Sequence, residues 1–201
     1  MVSIVQSVFF FAIFLVVSTS VIITSFFKFK TIIPFLLCIY LFSFAHIIVA
    51  GELAGLLNLL NNRFFFLFFH FTILISTLIL WRHKGSPSLF SPMISFLQFI
   101  KKTKPREFFI RNKLLLILGL GVSAFYVFNL VLVLKVSPNN YDALTGHIAR
   151  IGYWLQHGNF KPWPTWFAVQ TEYPINAQIQ ILWSILFWRT DTFAGMTQWI
   201  A

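Results

Sequence analysis

The sequence predicts an all-helical membrane protein, and three of its features point to this class. Apolar residues make up 58% of the 201 residues and aromatic residues 19%, whereas charged residues make up only 10%. A soluble domain is typically about 45–50% apolar and about 25% charged, so a soluble core could not bury this much apolar surface. The apolar residues also fall in long runs, and the basic residues lie between those runs. The predicted fold is therefore a polytopic bundle of transmembrane helices.

Four apolar runs are long enough to cross a bilayer. A span needs about 20 apolar residues, because the hydrocarbon core is roughly 30 Å thick and a helix rises about 1.5 Å per residue. The four runs are 4–27, 31–50, 64–81 and 114–134. A fifth run, 175–188, is shorter and more polar in its first turns, and a sixth begins at 192 and is still apolar at 201. We therefore expect these residues to be the N-terminal part of a longer protein.

The basic residues predict the side of the membrane on which each loop lies. Lys28 and Lys30 separate the first two runs, and the segment 82–113 contains Glu107 as its single acid. The basic residues of that segment are Arg82, Lys84, Lys101, Lys102, Lys104, Arg106, Arg111 and Lys113. Because Lys and Arg concentrate in cytoplasmic loops, we place both segments in the cytoplasm and the N-terminus outside. The net charge of +10 then reflects topology and contact with anionic lipid headgroups, and no nucleic-acid partner is expected.

This topology delivers the segment 135–178 to the outer face, where the sequence predicts a second kind of helix. Residues 141–157 have the amphipathic pattern of a helix that lies in the membrane interface, and Gly158 is placed to end it. The apolar stripe of this helix consists of Leu144, Ile148, Ile151 and Leu155. Asp142 stands at its start, where an aspartate is a favoured cap and where the helix dipole keeps a carboxylate ionised. A charged carboxylate held in this way is also suited to act as a general base.

The segment that follows is rich in tryptophan and proline. Trp163 and Trp166 alternate with prolines in 160-FKPWPTWFAVQ-170, and tryptophans of this kind suit the depth of the lipid headgroups. The tripeptide 172-EYP-174 then opens the fifth apolar run.

This order of features resembles the N-terminal catalytic region of the C-type (GT-C) integral-membrane glycosyltransferases. The resemblance covers roughly residues 114–201. It rests on Asp142 a few residues beyond a span, on the sequence pattern 147-HIARIGYWLQHG-158, and on 172-EYP-174. It is nearest to bacterial relatives of the protein O-mannosyltransferases and of the aminoarabinose–lipid A transferases. The resemblance implies a sugar donor carried on a polyprenyl phosphate and used at the outer face, with a lipid, glycan or protein hydroxyl as acceptor.

The resemblance also implies roles for particular residues. Asp142 corresponds to the loop aspartate that acts as general base or orients the acceptor. Glu172 and Tyr173 belong to an element that reads EYPP in the family, although Ile175 stands where the second proline would be. The chemistry of the reaction, apart from the resemblance, also requires cations that steady the departing phosphate, and Arg150, with His147 second, is the candidate for this role. Many relatives have a second acid directly after the first, where this chain has Ala143.

We predict no metal centre and no cofactor. His147 and His157 are ten residues apart, so one helix does not gather them as ligands. A divalent metal could take part in such a reaction, but the ligand spacing in this chain does not support one.

The predicted organisation has two parts in a multi-pass protein of a prokaryotic plasma membrane. Residues 1–113 form the N-terminal spans and the basic cytoplasmic loop, and residues 114–201 begin the GT-C-like catalytic region. Two other functions stay open: a transporter or flippase for a lipid-linked glycan, and a non-catalytic membrane fragment. A transporter would place ionisable residues at mid-membrane, whereas the spans before residue 135 are nearly free of charge.

Overall fold

The computed structural model describes residues 4–103 and 111–200. Lys104, Arg106 and Glu107 of the predicted basic loop lie outside the described residues. Within those two ranges the secondary structure is helical, and no strand occurs. The described part of the chain therefore confirms the predicted all-α class.

The helices follow the predicted runs closely. In chain order they are α1 (Ile4–Ser25), α2 (Ile32–Leu56), α3 (Arg63–His83), α4 (Ser91–Thr103), α5 (Lys113–Lys135), a π-helical segment (Asp142–Ile148), α6 (Ala149–His157), a short 3-10 turn (Ala168–Gln170), α7 (Asn176–Trp188) and α8 (Met196–Ile200). The helices α1, α2, α3 and α5 are long and apolar enough to cross a membrane. The four predicted runs are thereby confirmed as helices of spanning length and hydropathy, which is the character of a helical membrane protein.

The fifth and sixth apolar runs do not form helices of spanning length in the described residues. Helix α7 has 13 residues and α8 has five, against the roughly 20 that a span needs. A left-handed residue, Arg189 with φ of 72°, ends α7, and a chain of turns follows before α8.

Helices α1, α2 and α3 form the central bundle. Helices α1 and α3 share a small core of Leu15, Ile22 and Leu74, and Ser43 on α2 donates a hydrogen bond to Ser20 on α1 at 2.9 Å. Lys28, after α1, and Lys84, after α3, line one cavity, so they mark a common end of the bundle. We call this the basic end, and the opposite end, which carries the tight turn 57–62, the turn end.

Helix α7 packs across the half of the bundle nearer the turn end. Its successive turns contact three different helices, because Ile179 lies against Gly51 of α2, Trp183 packs 5.8 Å from Phe9 of α1, and Phe187 packs 6.5 Å from Phe66 of α3. A Cβ atom at position 51 would collide with Ile179, so the glycine permits the close approach of α7.

A chain of hydrogen bonds joins α7 to α3 and α2 inside the bundle. The indole N–H of Trp183 donates to His70 Nε2 at 2.9 Å, and His70 Nδ1 lies 3.2 Å from His46 Nε2. Since Nε2 of His70 accepts, the proton of the neutral ring is on Nδ1, which donates to His46. Buried polar groups require such partners, so this chain fixes the rotation of α7 against the bundle.

Helix α5 stands apart from the bundle. None of its residues is buried, and among the described residues its main helical neighbour is α8. Trp199 of α8 donates from its indole N–H to the carbonyl oxygen of Tyr126 at 3.1 Å, and Gly195 lies against Val133. Within the described residues, α5 therefore does not pack against α1, α2 and α3 as those three helices pack against one another.

Candidate functional site

The predicted outer helix begins with a π-helical turn, and its cap differs from the prediction. The oxygen Oδ1 of Asn140 accepts a hydrogen bond from the backbone N–H of Ala143 at 2.7 Å, which is the interaction that a capping residue makes. The expectation that Asp142 caps the helix is therefore wrong. The side chain of Asp142 is exposed, and it makes no capping bond at the start of the segment, so its carboxylate is available to another group.

The π-helical geometry changes which residues share a face. In an α-helix, residues five apart are rotated by about 140° from each other, whereas a π-helix bonds each residue to the fifth one along. Asp142 and His147 are five apart within this segment, so the π-helical turn brings their directions closer than an α-helix would, although only His147 lines the neighbouring cavities. The predicted stripe breaks for the same reason: Leu144 is 46% exposed, whereas Ile151 in the regular helix α6 is 1% exposed.

Arg150 is buried and holds the segment that contains Glu172 and Tyr173. Its Nη1 donates to the carbonyl oxygen of Tyr173 at 2.8 Å, and Nη2 donates to that of Thr171 at 3.4 Å. The guanidinium also lies 4.7 Å above the ring of Trp154. Burial lowers the pKa of Arg150 from its ordinary value, yet an arginine remains protonated in proteins. Its direct contact with a donor phosphate stays a prediction.

Further contacts fasten the 165–173 segment to the π-helical turn. The amide nitrogen of Gln170 donates to the carbonyl oxygen of Thr145 at 2.5 Å, and the ring of Phe167 packs edge-on 6.2 Å from Tyr141. Glu172 and Tyr173 are exposed. The contacts of Arg150 and Gln170 thus join the segment that contains Glu172 and Tyr173 to the helical segment that begins with Asp142.

His147 faces away from this segment and toward α7. Its Nδ1 lies 2.6 Å from Nε2 of Gln178, and it lines a cavity of about 300 Å³ together with Gln178, Thr197 and Gln198. An adjoining cavity of about 220 Å³ shares His147 and Gln198 and reaches Asn140 and Val133. Among the predicted site residues, His147 therefore lines the cavities, whereas Asp142 and Arg150 do not.

The helical segment 142–157 is attached to the turn end of the bundle through Gly158, the residue that follows it. Its backbone has a φ of 73° and ends α6, which confirms the predicted stop. Its carbonyl oxygen accepts from the N–H of Leu60 at 2.9 Å, and the amide of Asn159 donates to Asn58 Oδ1 at 2.9 Å. The ring of Trp163 stacks 3.8 Å from Tyr153, which packs the tryptophan segment onto α6.

Sequence reasoning missed the polar residues that complete the cavity. Gln178, Thr197 and Gln198 fall within or beside apolar runs, where a lone amide or hydroxyl gives no pattern. Gln178 is only 3% exposed, and a buried glutamine at the start of a helix is the signal that a hydrogen-bonded site is nearby. Within the described residues no three His, Cys, Asp or Glu side chains form a group that could hold a metal ion.

No protein-family model, no curated protein and no solved structure matches the chain. The class of the protein rests on its fold, which is that of a helical membrane protein with four helices long enough to span. At one end of its bundle this protein carries a π-helical turn, an exposed carboxylate and a cavity lined by a histidine.

Proposed function

We propose that the chain acts in a GT-C-type glycosyltransferase that uses a polyprenyl-phosphate sugar at the outer face of a prokaryotic plasma membrane. The observation that carries this proposal is the exposed carboxylate of Asp142 on a π-helical turn. π-helical turns are rare and occur often at functional sites. They cost regular backbone hydrogen bonding, so a turn of this kind that carries an exposed carboxylate indicates a use for that carboxylate.

In the proposed reaction the acceptor oxygen attacks the anomeric carbon of the sugar. The new bond joins that oxygen to the anomeric carbon, while the bond from this carbon to the phosphate oxygen breaks and the phosphate leaves with the electron pair. The proton of the acceptor hydroxyl passes to the carboxylate of Asp142, which acts as general base. The step is balanced without an oxidant or reductant.

The other predicted site residues have supporting roles in this proposal. Arg150 positions Glu172 and Tyr173, because it donates to the carbonyl oxygens of Thr171 and Tyr173. His147 lines the cavity and is the residue placed to contact a substrate group there. The GT-C assignment is supported by the order of these elements along the chain.

The test of this proposal replaces Asp142 by asparagine, which keeps the shape of the side chain and removes its ability to take a proton. Loss of a positioned general base lowers the rate by about 100- to 10,000-fold, so we expect this loss in sugar transfer from a polyprenyl-phosphate sugar in membranes. Asp191→Asn is the matched control, since Asp191 lies near the same end of the structure, where its carboxylate is 3.5 Å from Ser137 Oγ, outside the proposed machinery. Full activity of the Asp142→Asn protein would show that Asp142 is not the base.

A further inference from the structure

Two of the spanning helices end beside one cavity at the basic end of the bundle. Helix α1 ends at Ser25 and α3 ends at His83. The cavity has a volume of about 390 Å³ and is lined by Phe26, Lys28, Leu80, Lys84 and Pro87. A helix of spanning length ends where the hydrocarbon core gives way to the headgroups. This cavity, which we call the basic-end cavity, therefore lies at headgroup depth.

The two lysines of the basic-end cavity have no acidic partner among the described residues. Lys28 and Lys84 are both exposed, and none of the residues that line the cavity is an acid. The acids that the structure describes lie in the second half of α2 or beyond α5, and they are Glu52, Asp142, Glu172 and Asp191. Two cations that share a cavity without a counter-ion raise the local concentration of anions there.

A phosphate group is the anion that this pair of lysines suits at headgroup depth. The lysine ammonium group is a compact charge with three donors on a flexible stem, and lysine is a common ligand of phosphate. Because Lys28 and Lys84 are exposed, both ammonium groups can turn toward a phosphate at the mouth of the cavity. Basic cavities between membrane helices on the cytoplasmic side bind the phosphates of lipid headgroups in this way.

The apolar walls of the basic-end cavity favour a lipid phosphate over a free one. Phe26, Leu80 and Pro87 line the cavity together with the lysines, and Leu80 and its neighbour Ile79 are 52% and 64% exposed. A phosphate ion in water gains nothing from such a surface, whereas an acyl chain that covers it removes apolar area from water. The charge and the apolar wall are thus matched by the two parts of one phospholipid.

The backbone at Lys28 indicates that the lysine side chain is used. Lys28 has a φ of 49°, a left-handed conformation that is uncommon for residues other than glycine, and strained residues of this kind cluster at functional sites such as ligand clamps. A glycine would adopt the same turn without strain, so the turn alone does not require a lysine. The facing loop is also fixed, because the indole N–H of Trp81 donates to the carbonyl oxygen of Pro87 at 2.9 Å.

We infer that the basic-end cavity binds one anionic phospholipid, with its phosphate beside Lys28 and Lys84 and an acyl chain along Leu80. A zwitterionic phospholipid carries a cation next to its phosphate, which the two lysines repel, so the site selects a lipid without a headgroup cation, such as phosphatidylglycerol. This selection differs from the diffuse attraction between a basic loop and a membrane, because it depends on two particular lysines. The inference goes beyond the proposed function and does not rest on it.

The probe for this inference is phosphatidylglycerol with a diazirine at the start of one acyl chain, present in trace amount in phosphatidylcholine nanodiscs that hold the protein. After illumination, we expect mass spectrometry to find the label on residues 26–28 or 79–87. Phosphatidylcholine with the same diazirine should label these residues at least about fivefold less, since one lysine beside anionic headgroups contributes about that factor. Labelling of the exposed helix α5 gives the background for both lipids. Equal labelling of the cavity residues by the two lipids would overturn the inference.

Substitutions at three lysines separate a defined site from diffuse attraction. We expect Lys28→Gln and Lys84→Gln each to lower labelling by phosphatidylglycerol about fivefold. Lys30→Gln is the matched control, because Lys30 does not line the cavity and an exposed charge outside it is screened by salt. Lys28→Gly also removes the charge and fits the left-handed backbone, so it should lose labelling equally while melting no lower than the wild type. An equal loss in Lys30→Gln, or full labelling in Lys28→Gly, would overturn the inference.

Competition identifies the source of the phosphate. Unlabelled phosphatidylglycerol should displace the label from the cavity residues, because it offers both the phosphate and the acyl chains. Glycerophosphoglycerol, which is the same headgroup without acyl chains, and inorganic phosphate should leave the label in place even in large excess. Displacement by either soluble phosphate would show that the cavity takes a free anion and would overturn the assignment to a lipid.

Discussion

Gly158 shows how a single residue joins the candidate site to the bundle. Its left-handed backbone ends α6, and a Cβ atom there would lie 2.7 Å from the carbonyl oxygen of Asn58. The sequence pattern could place a helix stop at this glycine, because glycine is the common residue at that position. The contact with the 57–62 turn could not be predicted, because it joins segments a hundred residues apart.

We expect Gly158→Ala to lower the free energy of unfolding by about 1–3 kcal/mol, since a non-glycine residue is strained in this conformation and its side chain meets a backbone oxygen. Thermal unfolding in detergent or nanodiscs measures the change. Gly152→Ala is the control, because Gly152 lies inside α6 with no atom within 4 Å of an added Cβ. That substitution should stabilise the protein by about 0.5–1 kcal/mol. Equal melting of the two variants would contradict the role given to Gly158.

Asp142 and Asn140 show that the sequence alone does not decide which residue caps the helix. Both residue types are favoured caps, and two caps within three residues cannot be ranked from sequence alone. The backbone decides between them, because the π-helical turn leaves the N–H of Ala143 pointing at Asn140. The aspartate is freed as a result, which is the more informative outcome for function.

At the scale of elements, the four long helices were predictable and the π-helical turn was not. Runs of about 20 apolar residues have one solution in a membrane, because every backbone polar group must be paired within its own helix. Helix α2 extends to Leu56, six residues beyond the predicted run, and Gly51 and Gly55 in this extension let Ile179 and Phe160 approach closely. The register of 142–148 depends instead on contacts with the 165–173 segment, which no local pattern encodes.

The attachment of the 165–173 segment leads to a prediction for Arg150. Replacement by methionine keeps an unbranched apolar stem and removes the donors to Thr171 and Tyr173, and hydrogen bonds from a charged group contribute about 1.5–3 kcal/mol. We expect amide hydrogens of residues 170–175 to exchange at least tenfold faster in Arg150→Met, as hydrogen–deuterium exchange would show. Arg63→Met, which alters an arginine stacked on Phe64, should leave this exchange unchanged. Unaltered protection in Arg150→Met would mean that other contacts hold the segment.

At the scale of the whole molecule, the placement of charge gives the topology that the proposed function needs. Lys28 and Lys84 share the basic end, whereas Gly158 docks the candidate site on the turn end. A three-helix bundle puts these ends on opposite sides of a membrane, and Lys and Arg favour the cytoplasmic side. The site would then face outward, where a lipid-linked sugar is used in the proposed reaction.

Cysteine labelling of intact cells tests this orientation. In a Cys38→Ser background, we expect a membrane-impermeant maleimide to modify Asp142→Cys directly and Lys28→Cys only after permeabilisation, because the two positions lie at opposite ends of the bundle. The two single-cysteine proteins serve as controls for each other. The reverse pattern would place the candidate site in the cytoplasm and would exclude the proposed outer-face reaction.

The separation of α5 from the bundle has a consequence for the lipid environment of the protein. Its apolar stretch, 114–134, is about 32 Å long as a helix, close to a hydrocarbon core of roughly 30 Å, and a helix whose apolar stretch exceeds the local thickness tilts to compensate. Because the short helix α8 is its main brace, α5 is freer to lean than the three packed helices are. A change in bilayer thickness would thereby alter the angle of one wall of the cavities that α5 lines, so that a thin membrane and a thick one would present the same sequence with differently shaped cavities.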